Sequence, residues 1–134
     1  MKKDIVVPLV EDVAVAIVQE RNELQEVMWN VYLLNLGKEN IEGVLVTSKG
    51  YGEMKGEERK TSILRHFLDT IPSGGFSRIE PIMEELFGIN NEYWVSFYKN
   101  KVMYDKKYVF LAESVTAPHL IMIPLLNKKG VMIR

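Results

Sequence analysis

"TSILRHFLDTI", residues 61–71, can be built in two ways. With a helical period, Ile63, Leu64, Phe67, Leu68 and Ile71 form one stripe, and Thr61 or Ser62 is placed to cap it. With period two, Ile63, Phe67 and Ile71 share one face of a strand. "PSGG", residues 72–75, ends the element either way. A helix here would pack on a sheet and make the chain α+β. A strand would leave it mainly β.

The flanking sequence is written in strands. "VAVAIV", residues 13–18, is apolar on both faces, as in a strand covered on both sides. "ERNELQE", residues 20–26, is a charged turn. "VMWNVYLLNLG", residues 27–37, alternates, with Val27, Trp29, Val31 and Leu33 on one face. "GKEN" turns the chain into "IEGVLVTS", residues 41–48. "PIMEELFG", residues 81–88, predicts one short helix, with Pro81 in its first turn and Gly88 at its C-terminal cap. "NEYWVSFYKNKVMYDKKYVFLAE", residues 91–113, predicts a hairpin turning at Asn100-Lys101. Its register sets Lys99 against Val102, Phe97 against Tyr104, Val95 against Lys106 and Tyr93 against Tyr108. "HLIMIPLL" and "GVMIR" make a last pair around Asn127-Lys128-Lys129-Gly130, and Pro124 places the first of them at an edge or a bulge.

About seven short strands with charged turns predict an antiparallel sandwich. "VYLLNLGKENIEGVLVTSKG" (31–50) followed by "LRHFLDTIPSGGFSRIEPI" (64–82) resembles the strand-and-turn order of immunoglobulin-like interaction modules. Asn35-Leu36-Gly37 and Pro72-Ser73-Gly74 stand where such modules turn between strands. The resemblance covers about half the chain, implies an immunoglobulin-like sandwich and no catalytic residue, and tips residues 63–71 towards strand. The cysteine pair of antibody domains is absent, as it is from other sandwich families. The expected fold is mainly β, an antiparallel immunoglobulin-like β-sandwich with one short helix. The alternative is α+β with residues 61–71 helical.

Composition narrows the chemistry. At 134 residues, 47% hydrophobic and 26% charged, the chain is expected to form a single globular domain over 1–134. It has no cysteine, which removes disulfides, thiolate nucleophiles and cysteine-based zinc sites. Asp4, Pro8, Glu11 and Asp12 interrupt any signal-like apolar segment, and no run approaches the roughly 20 apolar residues that span a bilayer. The chain reads as soluble and cytoplasmic. Residues 1–60 carry 8 Lys/Arg against 11 Asp/Glu, whereas residues 91–134 carry 7 against 3. That basic last third either steers an anionic partner or balances an acidic face of the same molecule.

The motifs that carry chemistry are incomplete. "GYGEMKGEERKTS", residues 50–62, looks like a phosphate loop, but the glycine nearest Lys60-Thr61 is Gly56, and Lys55 stands where G-x-G-x-x-G needs glycine. Glu53, Glu57 and Glu58 would repel a phosphate, so the segment reads as a mobile connection between strands. Ser62, His66 and Asp69 suggest a triad without a nucleophile elbow or an oxyanion site. The two histidines, His66 and His119, are far apart, and Glu80, Glu84 and Glu85 form a carboxylate cluster without a third ligand type. The expectation is no catalytic, metal-ligating or cofactor-binding residue, and no cofactor.

The aromatic hairpin holds seven of the thirteen aromatic residues, interleaved with lysines. The register turns Tyr93, Val95, Phe97, Tyr108 and Phe110 to the core. Trp94, Tyr98, Lys101 and Lys107 remain as a partner-binding or nucleic-acid-binding patch, with Trp94 and Lys107 opposite one another as a cation–π pair. The leading functional expectation is a non-catalytic binding or scaffold module that acts through an unknown protein partner or by self-association. Single-stranded nucleic-acid binding through the same four residues is the alternative. An enzyme with a scattered site around His66 or Glu80 and Glu84 is the third. No membrane contact is expected.

Overall fold

The computed structural model describes residues 9–134 as two antiparallel sheets face to face, with two short 3-10 turns. Asp4 and Pro8, which argue against a signal segment, lie outside the described residues. The first sheet runs β6 (Phe76–Ile82), β2 (Val27–Asn35), β1 (Val13–Arg21), β10 (Lys128–Ile133), β9 (Ile121–Ile123). The second runs β3 (Ile41–Met54), β7 (Asn90–Lys99), β8 (Val102–Phe110). On the free side of β3 lie β4 (Glu57–Lys60) and β5 (Leu64–Ile71), the former along its end and the latter along its start. The protein is mainly β, so residues 61–71 are not a helix.

The core lies between the sheets. Val13, Val15, Ile17, Trp29, Val31 and Leu33 face Val44, Val46, Tyr93, Val95, Phe97 and Phe110 across it. β1 is buried on its other side as well, where Ala14, Ala16, Val18, Leu34 and Ile123 form a second cluster. The two-sided apolar run at 13–18 therefore does lie in a strand covered on both sides. Beside that second cluster, Glu20 accepts bonds from Asn30 (2.7 Å), Tyr32 (2.9 Å) and Lys128, tying β1, β2 and β10 together. Burial pushes the Glu20 carboxyl up, but the Lys128, Asn30 and Tyr32 bonds outweigh it and hold it below the usual carboxylate value. Burial, followed by the Glu20 bond and charge, pushes the Tyr32 phenol up to about 12.

The β7–β8 hairpin has the register expected from sequence: Phe97 meets Tyr104, Trp94 meets Lys107 and Tyr93 meets Tyr108. Its two turn residues, Asn100 and Lys101, both have positive φ, 51° and 65°, as a two-residue turn matched to strand twist requires. The sequence misplaces three other elements. β3 does not end at Ser48 but runs on to Met54 and returns as β4 through Lys55-Gly56, both at positive φ. The short helix begins at Glu84 and is 3-10, because Pro81 is held in β6 opposite Asn30. Lys128 to Gly130 belong to β10, and the turn before them is made by residues 124–127.

A fourth correction bears on the site. Ile63, Phe67 and Ile71 do not share a buried face. Asp69 has φ of 59°, and the β3–β5 register slips between Val44 and Leu45. This bulge reverses the alternation, so Ile71 is buried while Phe67 stands outside, 66% exposed. Ile63 precedes the strand and is exposed as well.

Candidate functional site

Two regions hold the residues singled out by sequence. The first is the outer face of the second sheet. Trp94 and Tyr98 alternate with the buried Tyr93, Val95 and Phe97, and they are 48% and 47% exposed. The Lys107 ammonium lies 5.0 Å from the Trp94 ring centre, the cross-strand cation–π pair that the register predicts. Lys101 sits exposed at the hairpin end, while Trp94, Tyr98 and Lys107 share the face. The same face carries three further apolar side chains, Leu45, Phe67 and Met103, all exposed; the hairpin register already places Met103 there, and sequence reasoning missed Leu45 and Phe67. Leu45 lies between Phe67 and Ser96 in the register, and Met103 is opposite Tyr98. A depression of about 180 Å³ opens between Leu45, Trp94, Met103 and Asp105. Only the bulge at Asp69 puts Phe67 here, and no local signal announces that bulge.

The second region is a cleft at the β5–β6 side of the sandwich. Glu80 reaches from β6 across to the second sheet, and three elements of that sheet converge on its carboxylate. Ser48 of β3 donates to Oε1 at 2.8 Å, His66 of β5 places Nε2 2.8 Å from the same oxygen, and Tyr93 of β7 donates to Oε2 at 3.2 Å. Burial, and then the charge and bond of Glu80, push the Tyr93 phenol up. The phenol therefore remains a donor. The cleft beside this cluster measures about 390 Å³, with Leu64, Ile82 and Leu86 among its walls.

This geometry separates the candidate groups. His66 and Glu80 meet, but Glu84 does not join them; it accepts the Trp29 indole N–H at 2.8 Å. Ser62 and His66 both line the cleft, whereas Asp69 is exposed at the bulge, so the 62–66–69 triad is not assembled. In a nucleophilic triad the imidazole stands between serine and carboxylate. Here the carboxylate stands in the middle and accepts from both Ser48 and His66, an arrangement that orders the side chains without making the serine nucleophilic. The 50–62 segment forms the β3–β4 hairpin, not a loop that opens a helix. The Gly50 N–H donates to Thr61 Oγ1 at 2.7 Å, and Gly50 O accepts from Thr61 N–H at 3.0 Å. Among the described residues, no three His, Asp or Glu side chains are placed to hold a metal, and no helix is long and apolar enough to cross a membrane.

Comparison with family models, curated proteins and solved structures finds no match to this chain.

Proposed function

We propose that the protein is a non-catalytic, cytoplasmic binding module of immunoglobulin-like type, and that it acts through protein–protein contacts, first of all with a second copy of itself along β5. The neighbour order β6-β2-β1 in one sheet and β5-β3-β7-β8 in the other supports the immunoglobulin-like assignment. It follows the E-B-A and C′-C-F-G order of such sandwiches, with β9 and β10 added beside the first strand.

The observation that carries the proposal is the character of the free edges. Among the described residues, five strands have an unpaired side. Four are protected in the ways natural sheets use. β4 is Glu-Glu-Arg-Lys, β6 contains Pro81, β8 carries Asp105, Lys106 and Lys107, and β9 has three residues and is followed by Pro124. β5 instead presents Leu64, Arg65, His66, Phe67 and Leu68, with Leu64 and Phe67 exposed, before the bulge at Asp69 interrupts it.

This edge is complementary to itself. Antiparallel pairing centred on His66 sets Leu64 against Leu68 and Arg65 against Phe67, each pair occurring twice. Such pairs contribute roughly 0.2–1 kcal/mol each, and the Arg–Phe pair adds a cation–π contact. The new sheet would also join the exposed Phe67–Leu45–Trp94 faces of both copies. Sedimentation of the wild type is expected to show dimers at tens to hundreds of micromolar. Phe67→Lys, which alters an exposed side chain and charges the edge, is expected to remain monomeric with an unchanged circular dichroism spectrum. A wild type that stays monomeric, or a Phe67→Lys protein that dimerises equally well, contradicts the proposal. Saturable, salt-sensitive quenching of Trp94 by oligo-dT in a monomeric wild type would instead favour the nucleic-acid reading through Trp94, Tyr98, Lys101 and Lys107.

A further inference from the structure

When the His66 imidazole is neutral, no group in the walls of the Glu80 cleft balances the charge of the carboxylate. The Glu80 side chain is 15% exposed, and its two carboxylate oxygens accept from two hydroxyls and one imidazole. Among the described residues, no Lys or Arg nitrogen lies within 4 Å of it. Lys49, the cation that lines the same cleft, is paired with Glu92 at 3.8 Å and lies over the Tyr51 ring.

The acceptors are not used up either. A carboxylate offers about four lone-pair sites, and three are occupied here. In the neutral imidazole, with Nε2–H given to Glu80, the other ring nitrogen is an acceptor, and among the described residues it has no partner. The cleft thus combines a negative charge, spare acceptors and the apolar side chains of Leu64, Ile82 and Leu86. Its volume of about 390 Å³ lies in the range of small-molecule sites. Among the described residues, a metal ion in the cleft would find Glu80 and His66 but no third His, Asp or Glu ligand. A neutral alcohol would leave the carboxylate without a counter-charge. The complement of this surface is a cation with N–H donors and a compact apolar body.

We infer that the cleft binds a small primary organic ammonium ion, with its –NH₃⁺ group on Glu80 and its hydrocarbon part against Leu64, Ile82 and Leu86. The ammonium group makes a charge-assisted hydrogen bond to the carboxylate, roughly twice as strong as a neutral one. Ser48 and Tyr93 hold the carboxylate in place from below, so the site is formed before the ligand arrives.

The test is a calorimetric or NMR titration of the whole protein with butylammonium and benzylammonium, and with benzyl alcohol as the neutral counterpart. Saturable binding of at least one ammonium is expected, at least tenfold tighter than the alcohol. Glu80→Gln, which keeps an acceptor but removes the charge, is expected to weaken it about tenfold or more. Ser62→Trp, at an exposed position lining the cleft, is expected to block binding with the carboxylate intact. It supplies the decision should Glu80→Gln fail to fold. Absence of binding by both amines, equal binding of benzyl alcohol, full binding by a folded Glu80→Gln protein, or an unaffected Ser62→Trp protein would each overturn the assignment.

Discussion

Gly130→Ala is expected to destabilise the protein by about 3 kcal/mol, at the upper end for overpacking in a core. Gly130 is buried in β10 opposite Val18 of β1. A Cβ at this position would lie 2.4 Å from the Ile17 carbonyl oxygen, 3.0 Å from Ile123 Cγ1 and 3.1 Å from Val18 Cα. Two of those three atoms are backbone of the central strand of the first sheet, so no side-chain rotation relieves the contact. Either β1 and β10 separate or Ile123 leaves the second apolar cluster. Thermal unfolding should show a midpoint lower by about 10 °C, given about 3 °C per kcal/mol for a domain of this size. An unchanged midpoint would mean that β10 does not lie against β1 as described.

Glu80→Ala should cost about as much for a different reason. It deletes the single acceptor group shared by Ser48, His66 and Tyr93, two of which are almost wholly buried: Ser48 at 4% exposure and Tyr93 at 1%. A buried donor left without a partner costs about 1–3 kcal/mol, so a total of about 3–5 kcal/mol is expected. Glu80→Gln retains an acceptor and should lose less. Urea unfolding of the two variants gives the order directly. A Glu80→Ala loss below about 0.5 kcal/mol, the ordinary range for surface changes, would show that the carboxylate does not join the sheets.

What could be read from sequence follows the distance over which each feature is set. The β7–β8 hairpin is local: Asn100-Lys101 fixes the turn, and strict alternation then fixes every cross-strand partner, including Trp94 with Lys107. The two-sided burial of Val13 to Val18 is likewise written in a run with no polar residue. The place of Phe67 is not legible in the sequence, because the alternation of β5 is broken by a bulge whose partner irregularity lies more than twenty residues away, between Val44 and Leu45. The Glu80 cluster brings together β3, β5, β6 and β7, so no spacing along the chain could announce Ser48 as a member. The choice between helix and strand at 61–71 also rests on a distant element. Its apolar residues suit either period, and pairing with β3 selects the strand.

The most direct test of β5 as the self-pairing edge is amide hydrogen exchange of residues 64–68 at low and high protein concentration. Pairing with a second copy predicts that the amides turned away from β3 exchange fast in dilute solution and become protected as concentration rises, while β8 amides do not change. Equal exchange of residues 64–68 at both concentrations would contradict it.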